Sequence, residues 1–284
     1  MISEVTVRCQ NTLGDNVRLL APAGTTSGRF GTVTLSVLGF TIDRIVSETT
    51  TGQSAILLRP MAETNERSVH YHFTAMTDNG SLYPEDAFTP RHNRYTEAAS
   101  DLAQHATQVA QSAGGGMDGI YALVEETSER FTYGHPDQRF NDGREEVTYL
   151  RCGLTEGSCV DINTYLIASL RAAGYDAAYL YGYFFSAEKK DWTSGMHCWV
   201  ATRHDGEILE WDIAHHKREG LAPIRPVLDP KPGRRVMIGH SMGHVYQTPH
   251  ERVVTKLLAG PLLIGPEGNV VGNAFERATI TGMG

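Results

Sequence analysis

The stretch Ser158 to Gly174, SCVDINTYLIASLRAAG, carries both a start and a stop signal. Ser158 with Asp161 three residues on is the S-x-x-D form of a helix-opening capping box. Ile162, Leu166 and Leu170, with Tyr165 and Ala173 alongside, form an apolar stripe at helical spacing, and Gly174 ends it. The helix therefore begins at or beside Cys159. Directly after it, AAYLYGYFF, HCWVATR and GEILEWDI read as three consecutive strands, the last two joined by the tight-turn sequence RHDG. A helix with one apolar stripe needs a surface to cover, and an antiparallel sheet of these strands supplies it, which makes the region α+β.

The remaining chain divides by pattern. From Glu4 to about Met76, EVTVRC, FGTVTLSVLGFTID, SAILLRP and SVHYHFTAMT are β-branched or alternating, separated by Gly, Asn, Asp and Thr clusters. This predicts an N-terminal antiparallel β unit. TDNGSLYPEDAFTPRHNRY then turns to loop chemistry with two prolines and places a boundary near residue 92, giving a β-rich domain over 1–92 and a catalytic domain with a C-terminal extension over 93–284. TEAASDLAQHATQVAQSA reads as a helix stopped by Gly114 to Gly116; with no lysine and no preceding strand, those glycines are not a phosphate cradle. MDGIYALVEETSERFTYG reads as a second helix, with Ile120, Leu123, Val124 and Phe131 on one face. The last seventy or so residues, rich in Pro, Gly and His, give no clear pattern.

Composition narrows the partners. Over 284 residues, 40% are hydrophobic and 20% charged, the profile of a globular protein, and the formal net charge is -8. With no basic stripe, nucleic acid is not expected as a partner, and Arg234, Arg235, Lys217 and Arg218 are expected as solvated surface. The longest apolar run, LLAGPLLIG, is too short to cross a bilayer. The N-terminus alternates instead of placing a basic segment before a hydrophobic one, so a cytoplasmic protein without a membrane partner is expected. Cys9, Cys152, Cys159 and Cys198 are scattered without a C-x-x-C, so reduced thiols are expected.

The plain reading of Cys159 is a compact buried hydrophobe. Its position offers another: a thiol at a helix N-terminus feels the positive end of the dipole and unpaired N–H groups, which favour the thiolate and could stabilise an oxyanion. A thiolate nucleophile wants a cationic partner able to deliver a proton. Among twelve histidines, His197 stands out on a predicted strand among apolar and aromatic residues, 38 positions after Cys159. Asp212, 15 positions further on, is placed on the next strand across the hairpin, within reach of His197. Trp199 is expected to pack beneath the imidazole, Cys152 and Cys198 to be structural, and Tyr133 is a candidate oxyanion donor. The histidine pairs His240 with His244 and His215 with His216 raise a zinc site, but neither H-E-x-x-H nor C-x-x-C is present, so no metal and no cofactor are expected.

GSCVDINTYLIASLRAAGYDAAYLYGYFF followed by HCWVATRHDGEILEWDIAHH resembles the transglutaminase-like superfamily of papain-like thiol enzymes. A Gly-x-Cys-x-Asp helix start, a Leu-Arg-Ala-x-Gly helix end, a His-x-Trp strand and an Asp strand occur in that order, within residues 115 to 216. RFTYG resembles the aromatic-rich end of the family's preceding helix. The resemblance implies a papain-like core with the nucleophile helix packed on an antiparallel sheet, Cys159 as nucleophile, His197 as base and Asp212 as orienting acid. Cys198 stands where the family often has alanine, and Ile-Ala-His follows Asp212 in place of a proline-containing turn. The N-terminal region does not resemble the β-sandwich of animal transglutaminases and no calcium loop is visible, so calcium-dependent crosslinking is not expected. The expected reaction is acyl transfer from a peptide or small amide: hydrolysis first, transfer to an amine acceptor second. A binding or scaffold module on a decayed catalytic fold is the third reading.

Overall fold

The alternation of the N-terminal segment is realised as strands β1 (Ile2–Cys9), β2 (Arg18–Pro22), β3 (Phe30–Leu38), β4 (Phe40–Ser47), β5 (Ser54–Pro60) and β6 (Ser68–Ala75). The structure, a computed structural model, describes residues 2–10, 17–25, 30–62, 64–75, 82–151, 153–226, 229–247 and 251–282. Cys152 and the turn-rich residues 76–81 lie outside them. Val5, Val7 and Cys9 of β1 and Val69, Tyr71 and Phe73 of β6 point to one side and meet Leu19, Ala21, Ile56 and Leu58 of β2 and β5. The next residues along, Leu20, Ala55 and Leu57, turn to the opposite face and pack under Tyr246 and Val253. Burial on both faces is why β2 and β5 read as continuous apolar runs.

The centre of the chain forms α1 (Ser100–Ser112), α2 (Gly116–Arg130), β7 (Phe131–Tyr133), β8 (Thr155–Gly157), α3 (Cys159–Ala172), β9 (Asp176–Ser186), β10 (Trp192–Thr193), β11 (Met196–His204), β12 (Glu207–Trp211), α4 (Ile213–Arg218) and β13 (Gly233–His240). β12, β11, β9 and β13 lie side by side in that order, all antiparallel. Asp205 and Gly206 form the β11–β12 turn with φ of 49° and 79°, as a two-residue hairpin requires. α3 lays Ile162, Tyr165, Leu166 and Leu170 against the sheet face carrying Tyr179, Tyr181, Cys198 and Val200. On the opposite face Leu180, Trp199 and Met237 pack under Tyr83 and Phe88. The fold is α+β, with the helix that begins at Cys159 packed on an antiparallel sheet.

One expectation fails locally. Phe131 to Tyr133 do not extend α2; they form β7, which pairs in parallel with β8 so that Tyr133 lies opposite Gly157. Phe131 satisfies helical spacing from Val124, but its aromatic ring is buried as fully by the β pairing.

The final segment supplies β14 (His244–Gln247), β15 (Arg252–Thr255), β16 (Leu262–Ile264), β17 (Val270–Asn273) and β18 (Phe275–Thr281). β18 pairs with β1 from Glu4↔Thr281 to Cys9↔Phe275, and β16 pairs with β2. The two five-stranded sheets, β10-β18-β1-β6-β3 and β17-β16-β2-β5-β4, are thus completed by residues 262–281. β9 belongs to two cores at once: Tyr179 and Tyr181 enter the helical one, Tyr183 and Phe185 the one between the β sheets. Among the described residues no helix is long and apolar enough to cross a membrane.

Gly182, midway along β9, lies between His197 of β11 and Met237 of β13. A Cβ there would stand 1.9 Å from the Val236 carbonyl oxygen. Gly182→Ala is expected to push β13 away and destabilise the fold by about 3 kcal/mol, read from urea unfolding midpoints.

Candidate active site

The helix start is held from its own first turn. The Asp161 carboxylate accepts hydrogen bonds from the Ser158 backbone N–H at 2.9 Å and its hydroxyl at 2.7 Å, as the sequence leads one to expect. Arg139, from the loop between β7 and β8, donates to the Ser158 hydroxyl at 3.2 Å and pairs with Asp161 at 3.4 Å. Cys159 follows as the first helical residue, 8% exposed.

His197 enters from β11, and its Nε2 lies 2.8 Å from Asp212 Oδ2. That leaves Nδ1 for the Cys159 thiol, with which the ring is hydrogen-bonded. Cys159, His197 and Asp212 are therefore brought together. Asp212 is not on a strand, however. It is the residue after β12 and caps α4, its Oδ1 accepting from the His215 backbone N–H at 3.0 Å. A short polar acceptor at a strand-to-helix junction stabilises the orphan N–H groups of the new helix, and Ile-Ala-His continues as α4 instead of turning.

Two further groups share this carboxylate. Arg235, expected at the surface, is buried on β13 and hydrogen-bonds Asp212 Oδ2 through Nη2; its Nη1 pairs with Asp229. The guanidinium carbon lies 4.9 Å from the Phe184 ring centroid. The usable signal was strand alternation in GRRVMIGH: Arg235 has the parity of buried Met237, while Arg234 is exposed. His215 is the other addition, with Nδ1 3.0 Å from Asp212 Oδ2 and its ring stacked on that of His197 at 3.9 Å and 6°.

These contacts set the charges. The Cys159 thiol is held well below the usual thiol range, chiefly by a hydrogen bond with the Cys198 thiol; burial opposes this, and the bond to His197 and its charge add to it. Burial raises the pKa of the Cys198 thiol itself, which favours its protonated form. Burial works against a charged His197, but the charge and hydrogen bond of Asp212, then those of Cys159, push it up to about 9. Asp212, despite burial, is kept well below the carboxylate range by His197, His215 and Arg235. Burial lowers His215. Such a set favours a thiolate beside an imidazolium, an arrangement that can supply a nucleophile and a proton donor in one contact.

Among the described residues, His197, Asp212 and His215 have ligand-type atoms within 4.8 Å of one another. The guanidinium already bound to Asp212 Oδ2 makes this a poor cage for a metal cation. His240 and His244 stay apart from it: His240 Nδ1 meets the Ser241 hydroxyl at 3.0 Å and His244 Nε2 meets the Tyr181 hydroxyl at 3.2 Å. His216 Nδ1 bonds the Asp212 carbonyl at 2.8 Å. Trp199 packs against the imidazole, ring centroids 6.5 Å apart, and donates its indole N–H to the Tyr83 hydroxyl at 3.1 Å. The Tyr133 hydroxyl lies 3.3 Å from His135 Nε2, and burial, then the Cys159 charge, raise its pKa.

The thiol opens on a cleft of about 220 Å³ shared with His197, Cys198 and Arg139. Its far wall is Leu257, Ala259, Gly260 and Leu262, from the segment that gave no pattern in sequence. The Tyr183 hydroxyl holds that wall by donating to the Ala259 carbonyl at 2.9 Å.

Residues 100–211 match the family model of the Transglutaminase-like superfamily, with Cys159 and His197 inside the match and Asp212 one position beyond it. This part of the chain is a transglutaminase-like domain. No curated protein matches the chain. Among solved structures, a candidate cysteine protease from Cytophaga hutchinsonii is similar at 12% identity over 99% of this chain and 96% of that one, TM-score 0.47. The periplasmic domain of TgpA from Pseudomonas aeruginosa is similar at 13% identity over 76% of this chain and 88% of that one, TM-score 0.39.

The paired shifts have a measurable consequence. His197, raised from 6.5 to about 9, contributes stability that is complete below 6.5 and lost as pH rises through 9. Cys159, lowered, contributes in the opposite sense, because the unfolded thiol keeps its proton there. The two offset each other between these limits. In Cys159→Ser the share of the His197 shift that comes from Cys159 goes and the share from Asp212 remains, so unfolding free energy is expected to fall as pH rises above about 6.5, over a narrower range and by up to about 1.4 kcal/mol per unit. Wild type stays flatter over the same range in urea titrations.

Proposed function

We propose that the protein is a thiol-dependent acyl-transfer enzyme acting on an amide or peptide bond, with hydrolysis as its outcome. The convergence of Cys159 and His197 on one cleft, with Asp212 buried against the far side of the imidazole, carries this reading. The Cys159 thiolate attacks the carbonyl carbon and forms the C–S bond. The oxyanion that develops faces the amides that begin α3. His197, charged at the outset, gives its proton to the leaving amine as the C–N bond breaks, and Asp212 keeps the ring aligned. Water, deprotonated by the now neutral His197, then attacks the thioester and releases the acid with the thiolate restored.

The cleft is sized for one side chain or a small acyl group, so a peptide residue or small amide is the substrate class. Hydrolysis is favoured because water needs no binding site of its own; an amine entering in its place would give the transfer reaction. Cys9, Cys159 and Cys198 are unpaired thiols, which suits a reducing, cytoplasmic setting.

The test is incubation with a peptide and small-amide library, with and without added amines, followed by intact mass. A thioester adduct on Cys159 that turns over to free acid is expected, absent in Cys159→Ser. Asp212→Asn should lower turnover about a thousandfold or more. Turnover that persists in Cys159→Ser overturns the reading, and an amine-dependent product in place of the acid replaces hydrolysis with transfer.

A further inference from the structure

We propose that Arg235 is a positioning residue for His197: acting through Asp212, it holds the imidazole in the orientation and charge state that the thiol requires. This rests on the reading given under Proposed function. Asp212 is fully buried; its Oδ2 accepts from the His197 ring and the Arg235 guanidinium, while the same guanidinium nitrogen donates to His215 Nδ1 at 2.8 Å and the His215 backbone N–H donates to Asp212 Oδ1.

A buried carboxylate with a lone imidazole partner loses its counterion whenever that imidazole gives up its proton, as it must in each turnover. A guanidinium does not titrate in this range, so Asp212 next to Arg235 stays ionised through the cycle and keeps accepting from His197 Nε2. The ring then keeps Nδ1 turned to the sulfur. The fixed positive charge also disfavours proton uptake by the whole set, limiting how basic the carboxylate makes the imidazole and favouring the thiolate.

The build around Arg235 has no evident purpose in a surface cation. Phe184 covers the guanidinium, and Asp229 takes its other arm. Glu210, hydrogen-bonded by the Tyr83 hydroxyl, adds a further negative charge on this side. The ionisable groups facing the thiol and imidazole from the other elements are Cys198, Tyr179 and Tyr181 on the sheet, Tyr133 with Arg218 on the thiol side, and His135 and Arg139 at the cleft. None of these seven bonds Asp212, so a change at Arg235 reaches His197 by a route they do not share.

The test follows alkylation of Cys159 by iodoacetamide against pH, located by peptide mass, in the folded full-length chain. Arg235→Met removes the cation, so the pH midpoint is expected to rise by about one unit, a rate about tenfold lower on the acid side. Arg235→Lys should recover most of the wild-type profile. Asp229→Asn leaves the carboxylate and its partners in place but removes the competing anion, and should move the midpoint the other way. It carries the test, with Arg235→Lys, should Arg235→Met not fold. Unchanged profiles in folded Arg235→Met, or in Asp229→Asn where Met does not fold, against a wild-type profile that still depends on His197, reduce Arg235 to a structural ion pair. A wild-type thiol whose alkylation is indifferent to His197→Ala overturns the reading under Proposed function and this inference with it.

Discussion

The carboxylate of Asp212 is the constraint around which the site is arranged. A bare charge at full burial would be prohibitively unfavourable, and its compensation comes from three separate elements: His197 on β11, His215 on α4 and Arg235 on β13. Satisfying one carboxylate therefore ties β11, α4 and β13 at one point within the sheet and cores that they already share. It also caps α4 and aligns the imidazole, so local helix formation and site geometry draw on the same two oxygens.

β9 performs the corresponding task for packing. Its alternation YLYGYFF sends tyrosines into the helical core first and then Tyr183 and Phe185 into the core between the β sheets, with Gly182 allowing close approach of β13 in the middle. The strand that positions Phe184 against Arg235 also holds the Ala259 wall of the cleft through the Tyr183 hydroxyl. The β-rich part of the molecule thereby contributes to the site without supplying any of its reacting groups.

Features governed by neighbours in sequence were legible. The Ser158–Asp161 cap, the stripe of α3, the Asp205–Gly206 turn and the reach from His197 to Asp212 across a hairpin all depend on short-range chemistry. What escaped depends on distance. Arg235 reads as surface because adjacent arginines usually are, and only the partner carboxylate 23 residues away makes its burial favourable. The segment of β7 reads as helix because Phe131 fits both periods, and only pairing with β8 decides between them. In the last seventy residues the short strands β16 and β18 find partners in β2 and β1, far back along the chain, so their own pattern carries little information.

The pairing of β18 with β1 joins Glu4 to Thr281 and Cys9 to Phe275, strands far apart in sequence. A ribosome delivers β1 long before β18, so β1 waits with that edge unmatched while the residues between them are made. Loops this long close slowly, and the sheet can be sealed only after Cys159, His197 and Asp212 have all emerged. The wall at Leu257 to Leu262 arrives in that same late stage, so the Cys159 thiol is made long before the wall it faces, and a chain interrupted before Leu257 would carry these three side chains without that enclosure.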